Sequence, residues 1–143
     1  MRIRVLDGSD NAAASSGAVP ARVLEHHMSL EEEVQDARIR AVLAIIERQP
    51  RRSVRELAGE VGLSPRRLES LFRNETGTQI REFIIEERLR MAAHLLSTSE
   101  LSIKEIAYAI GYGHPSSFTR AFARRFVDSP KRYRQQAMAQ NAK

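Results

Sequence analysis

Two stretches of this chain are near-copies of each other, and a chain built on a repeat has few ways to fold. "SVRELAGEVGLSPRRLESLF" (53–72) matches "SIKEIAYAIGYGHPSSFTRAF" (102–122). Ser53/Ser102, Val54/Ile103, Arg55/Lys104, Glu56/Glu105, Leu57/Ile106, Ala58/Ala107, Val61/Ile110 and Gly62/Gly111 pair at an offset of 49. One extra residue in the turn then moves Leu68/Phe118, Leu71/Ala121 and Phe72/Phe122 to an offset of 50. Each copy opens with Ser and a Glu three residues on, the capping box that satisfies the free amides of a helix start. In the first copy Leu57, Ala58 and Val61 make a short apolar face, and Gly62 suits the left-handed residue that ends a helix. Ser64 then caps a second helix, with Pro65 in its first turn, where a missing amide costs nothing. Gly111 and Pro115 take those parts in the second copy. Helix, short Gly turn, helix is the layout of a helix-turn-helix unit, and it occurs twice.

The flanks extend an all-α reading. "SLEE" (29–32) repeats the capping spacing, and Ile39, Val42, Leu43 and Ile46 follow at i, i+3, i+4, i+7 on a helix expected to end near Pro50. Between the copies, "TQIREFIIEERLRMAAHLLS" (78–97) has the broad apolar surface of a central helix touched from both sides. "SPKRYRQQAMA" (129–139) begins with a Ser cap and a Pro in the first turn. "DGSDNAAASSGAVPA" (7–21) is small, polar and without period, and reads as disordered. The expectation is an all-α fold of about seven helices, two helix-turn-helix subdomains joined by a central helix. The expected bounds are a disordered lead (1–28), a domain (29–138) and a tail (139–143). Within the domain, 29–77 is the first subdomain, 78–97 the linking helix and 100–138 the second subdomain.

Composition narrows the function. With 143 residues, no tryptophan and eight Phe or Tyr, the core must be aliphatic, closed by a few aromatic anchors. The chain has no cysteine, so disulfides and thiolate metal sites are excluded. No apolar run approaches the roughly 20 residues needed to span a membrane, and the N-terminus lacks the apolar region of a secretory signal. A soluble cytoplasmic protein without membrane contact is expected. His26, His27 and His94 lack the companions of a metal site. No nucleophile–base constellation or Gly-rich phosphate loop presents itself. Neither metal, cofactor nor enzymatic activity is expected. The formal charge of +5 is unevenly placed: residues 1–47 carry 5 Lys/Arg against 8 Asp/Glu, and residues 48–134 carry 17 against 10. Only Lys104 and Lys131 in that second segment are lysines. Arginine's planar fork suits phosphates and guanine edges better than lysine does.

At about 100° per residue, the second helix of each copy separates into two faces. Phe118, Phe122 and Phe126 gather on one side of 114–126. Ser116, Arg120, Ala123 and Arg124 gather opposite, with Ser117 and Arg125 on the flanks. Over 65–74 the buried set is Leu68, Leu71 and Phe72. Arg66, Ser70 and Arg73 are outward, and Arg67, Glu69 and Asn74 lie at the margins. A helix of this kind entering the major groove reads bases with its N-terminal outward residues. Arginine there grips guanine O6 and N7, worth about 1–3 kcal/mol of discrimination per good bidentate contact. A central helix of about 20 residues spans roughly 30 Å, close to the roughly 34 Å between successive major-groove entries on one DNA face.

The segment 29–135 resembles the DNA-binding domain of the AraC/XylS family of bacterial transcription regulators. The residues that carry the resemblance are "ELAGEVGLSPRRLESLFRNETG" and "IKEIAYAIGYGHPSSFTRAFARRFVDSPKRYR". The second follows the family pattern I-x-x-I-A, then G-F/Y, then S-x-F-x-R-x-F, then S-P-x-x-Y/F-R. The resemblance implies base contacts at Arg66, Glu69 and Ser70, and at Pro115, Ser116, Ser117 and Arg120. The helix faces agree on Arg66, Ser70, Ser116 and Arg120, and they offer Arg67, Arg73, Arg124 and Arg125 to phosphates. The family further implies double-stranded DNA as partner and activation through contact with RNA polymerase. Two readers on one chain lead us to expect a monomer on an asymmetric site, unless a sensor domain belongs to the native protein. Two departures stand out. Val127 replaces the glycine that relatives often carry before S-P, which implies a tighter or shifted turn. His114 and Pro115 open the second reader where relatives more often place a polar side chain.

The same residues admit blander roles. Arg120 can pair with an acid on a facing helix, Glu69 can orient Arg66, and the remaining arginines can be solvated charge. Two other function classes stay open: a protein that coats DNA without reading it, and an interaction module that has kept the fold and lost DNA. Steep salt dependence of binding argues against the second, and discrimination above about a thousandfold argues against the first.

Overall fold

The computed structural model describes residues 33–142. Seven helices follow one another in that span: α1 Ala37–Arg48, α2 Val54–Glu60, α3 Pro65–Thr76, α4 Ile80–Thr98, α5 Ile103–Ala109, α6 Pro115–Phe126 and α7 Pro130–Asn141. There is no strand among the described residues, and none of their helices is long and apolar enough to cross a membrane. The expected capping box at 29–32 and the histidines at 26–27 lie outside the described residues. The helix that carries the Ile39 face starts later than that box, at Ala37. Asp36 caps it, its side chain accepting from the Arg38 amide at 2.9 Å. Arg38 also folds its guanidinium onto the same carboxylate at 3.0 Å, and that hydrogen bond holds the Asp36 pKa down at about 2.

Both expected capping boxes form, Ser53 with Glu56 on α2 and Ser102 with Glu105 on α5. Ser64 and Ser129 cap α3 and α7 by accepting from the Arg67 and Arg132 amides. These short helices need such caps, because at seven residues α2 and α5 fall far below the length at which propensity alone sustains a helix in water.

The repeat proves longer in space than in sequence. At an offset of 50, Ile39, Val42, Leu43 and Ile46 on α1 correspond to Leu89, Ala92, Ala93 and Leu96 on α4. The first set is buried in one core and the second set in the other. Phe83 on α4 corresponds in turn to Tyr133 on α7. Phe83 meets Phe72 edge-on at 5.7 Å, and Tyr133 meets Phe122 edge-on at 5.3 Å. So α4 is shared: its first half closes one four-helix unit and its second half opens the next. The division falls between Glu87 and Arg88. Its apolar residues therefore serve two cores in succession, Ile80, Phe83 and Ile84 in the first and Leu89, Ala92, Ala93 and Leu96 in the second. That explains why the helix looks apolar nearly all round.

The turns repeat as well. Gly62 and Gly111, at φ +69° and +101°, end α2 and α5 in the left-handed region. Gly77 ends α3 at φ 78°, ψ 4°, donating its amide to the Arg73 carbonyl at 2.8 Å. Its counterpart Val127 ends α6 at φ 66°, ψ 0°, donating to the Ala123 carbonyl at 2.9 Å. The turn is therefore neither tightened nor shifted, as the missing glycine implied. The valine adopts the glycine conformation, and it is the only non-glycine residue at positive φ among those described.

Candidate nucleic-acid interface

The first reader, α3, is held down by Leu68 and Phe72, both fully buried, with Leu71 half-buried beside them. Its other face carries Arg66, Arg67, Ser70, Arg73 and Asn74, all exposed. Glu69 is half-buried, and its carboxylate meets Arg81 at the start of α4, 3.1 Å away, rather than Arg66. Arg66, Glu69, Ser70 and Arg73 thus come together along one side of a cleft of about 540 Å³, whose other wall is Gln79, Ile80 and Arg81. Arg67 stands outside it. Gln79 and Arg81 are the residues that sequence reasoning missed. The signal available for Arg81 was a second pair at the offset of 50, because Lys131 occupies the same place at the start of α7.

The second reader, α6, is anchored by its phenylalanines. Phe118 and Phe122 are fully buried, and Phe126 is half-buried, stacked on Phe122 at 4.5 Å. The ring ladder continues from Tyr112 to Phe118 and from Phe122 to Tyr133. This spine leaves Ser116, Arg120 and Arg124 exposed on the opposite face, with Pro115, Ser117 and Ala123 half-buried. Arg125 is different. It is half-buried, and its guanidinium lies 5.1 Å over the Phe126 ring, an attraction between a cation and a π face. His114 precedes α6 in extended geometry and makes no side-chain cap, in contrast to Ser64 before α3.

Arg66, Arg67, Arg73, Arg120 and Arg124 have no ion pair or side-chain hydrogen bond among the described residues. Arg120 thus has no acid on a facing helix. The contrast with other arginines is plain. Arg52 bridges to Glu56 and Glu60, and Arg134 donates to the Leu96 and Ser99 carbonyls at the end of α4. The arginines that stabilise the units are paired, and those on the two outward faces are not. No group of three or more acidic or histidine side chains that could hold a metal occurs among the described residues.

Two helix-turn-helix units, each presenting an unpaired basic helix face, define a DNA-binding protein class, and comparison with known proteins specifies it. Residues 57–136 match the model of a helix-turn-helix domain family, the AraC-type domain. A second model, described as a winged helix-turn-helix DNA-binding domain, matches 35–71. The chain belongs to the AraC-type family of DNA-binding transcription regulators. The regulator GlxA of Rhizobium meliloti is 43% identical over 95 residues, covering 63% of this chain and 29% of that protein. The transcriptional activator RhaS of Klebsiella pneumoniae is 34% identical over 117 residues, covering 79% of this chain and 42% of that protein. The chain therefore spans well under half the length of these relatives. Among solved structures, the DNA-binding domain of AdpA, in complex with a target DNA, superposes with a TM-score of 0.67. It is 28% identical and is covered over 99% of its length by 76% of this chain.

Proposed function

We propose that this chain is a sequence-specific DNA-binding transcription regulator that inserts α3 and α6 into two adjacent major-groove segments of one double-stranded site. The carrying observation is the set of arginines on the outward faces of both helices that no carboxylate neutralises. An unpaired guanidinium on a rigid helix face has five donors in a fixed fork and little to reorganise before it meets an acceptor. Guanine O6 and N7 present two such acceptors in the major groove. Arg66 and Arg120, near the helix N-termini, are the base readers. Glu69, Ser70, Pro115, Ser116 and Ser117 line the same faces and complete the two contact sets. Arg67, Arg73, Arg124 and Arg125 hold the phosphates, which fix register without reading sequence.

Apart from the shared Pro65 and Pro115, the two readers differ at the outward positions, with Arg66 matched to Ser116, Ser70 to Arg120 and Arg73 to Ala123 in the repeat. The DNA site is therefore asymmetric and one chain suffices to fill it. The name of the RhaS relative, a transcriptional activator, supports activation as the output; contact with RNA polymerase is the route that the family resemblance implies. The deciding experiment is selection of binders from a randomised duplex pool at physiological salt. Two short enriched blocks about one helical turn, or 10–10.5 base pairs, apart are expected. Retention without enrichment would leave a protein that coats DNA and would overturn the proposal. On the selected site, Arg120→Ala is expected to weaken binding by about 1–3 kcal/mol and relax one base position. Equal loss on every sequence would make Arg120 a phosphate contact instead.

A further inference from the structure

Resting on the reading of α3 as a major-groove helix, we infer that Arg81 is a positioning residue that sets how Glu69 reads a base. A carboxylate on a DNA-facing helix is a liability unless something directs it, since phosphates and the guanine edge both repel it. Here the Arg81 guanidinium holds Glu69 Oε1 at 3.1 Å across the cleft. A carboxylate has about four lone-pair sites, so this contact leaves Oε2 able to accept. The donor it suits in the major groove is cytosine N4, whereas guanine O6 and N7 present only acceptors and exclude it. Such a group selects by repulsion as much as by attraction.

The pair also protects the neighbouring arginines. Arg66 and Arg73 lie three residues before and four after Glu69, the spacings at which helix side chains meet. Glu69 instead reaches Arg81, and both arginines keep their forks free. Stability does not explain the arrangement. The two side chains are 69% and 39% exposed, and exposed ion pairs contribute little. The second unit is built without it: Thr119 stands at the place of Glu69 and turns its hydroxyl onto the Pro115 carbonyl at 3.0 Å, while Lys131 stands at the place of Arg81. The same four-helix packing forms with no bridge there, so the bridge belongs to the reading surface of the first unit.

The test uses the full chain, its selected site and the three single-base variants at each position of the α3 half. The variants are Glu69→Ala, Arg81→Met and Arg81→Lys, with thermal melts to confirm that each is folded. The wild type is expected to prefer cytosine at one position by about tenfold or more, as one good base contact gives. Glu69→Ala abolishes that preference, Arg81→Met reduces it to within about threefold of indifference, and Arg81→Lys restores most of it. If Arg81→Met weakens binding equally on all four bases and flattens the salt dependence by about 0.9, one phosphate's share, Arg81 is a phosphate contact and the inference is wrong. Full preference retained in Arg81→Met overturns it as well. A wild type with sequence preference elsewhere that Glu69→Ala leaves intact overturns this inference alone. A wild type with no preference anywhere overturns the reading of α3 and the inference together.

Discussion

Val127 occupies φ 66°, ψ 0°, where its counterpart one repeat earlier is Gly77. For a residue with a Cβ this region costs about 1–2 kcal/mol, and β-branching adds crowding. The residue is 71% exposed, so little burial offsets the strain. Val127→Gly is therefore expected to stabilise the chain by about 0.5–1 kcal/mol once the backbone freedom that glycine restores to the unfolded state is subtracted. Denaturant titration measures this, and an unchanged or lower midpoint would mean that the unfolded-state freedom of glycine outweighs the strain it relieves. Tyr133 supplies a second residue-scale test. Its ring is buried against Phe122 and Phe126, yet its hydroxyl has no hydrogen-bond partner among the described residues. Burial pushes its pKa up to about 12. The folded state thus keeps its proton where the unfolded chain, with a pKa near 10, releases it. Tyr133 favours no state below about pH 10, and stability falls as pH rises from about 10 towards 12, at up to about 1.4 kcal/mol per pH unit. Tyr133→Phe should remove that loss and leave neutral-pH stability unchanged or slightly higher. A phenylalanine variant that melts much lower at pH 7 would show that the hydroxyl does have a partner.

At the scale of elements, the helices with side-chain caps and the one without make a natural comparison. His114 offers α6 no cap bond, while Ser64 and Ser129 cap α3 and α7. A good cap contributes about 1 kcal/mol. His114→Ser and His114→Asp should both raise the thermal midpoint. Only the aspartate should weaken DNA binding, because in the proposed docking it places a negative charge at a helix end directed at the phosphates. If both variants bind as the wild type does, the α6 N-terminus does not approach DNA. These caps were also the most legible part of the sequence: Ser with Glu three residues on, and Ser followed by Pro, are local patterns with a local cause. The start of α1 at its Asp36 cap was not legible, because residues 34–36 interrupt the helix where the sequence offers two successive cap signals, the first of them, at 29–32, outside the described residues. The double duty of α4 was legible in the broad apolar surface of 78–97, but the match of its two halves to α7 and α1 was hidden, since those pairs share hardly any identities. The outward faces of α3 and α6 followed from helical period alone. The Glu69–Arg81 bridge joins two helices across a turn, and no spacing rule within one helix reaches it.

For the whole molecule, charge placement decides how binding responds to salt. The excess of 17 basic over 10 acidic residues across 48–134 is partly cancelled within the units, since Arg52, Arg81 and Arg132 are each bridged to acids. Arg48, Arg55, Lys104 and Lys131 are exposed in the same span, but in the proposed docking only the set on the outward faces of α3 and α6 meets DNA, so the salt dependence should count that set rather than the net charge. Each neutralised phosphate contributes about −0.9 to the slope of log K against log salt. Arg67, Arg73 and Arg124, exposed and unpaired, should contribute fully. Arg125, already seated over the Phe126 ring, should contribute less. Alanine at Arg67 or Arg124 is thus expected to make the slope less steep by about 0.9 with base preference unchanged, whereas Arg125→Ala should change the slope by clearly less and cost folding stability through the lost ring contact. Titrations of the selected duplex at four salt concentrations would separate these outcomes. Equal slope changes for all three would mean that Arg125 leaves its ring to reach DNA, and no change for Arg67 and Arg124 would move the phosphate contacts to other faces of both units.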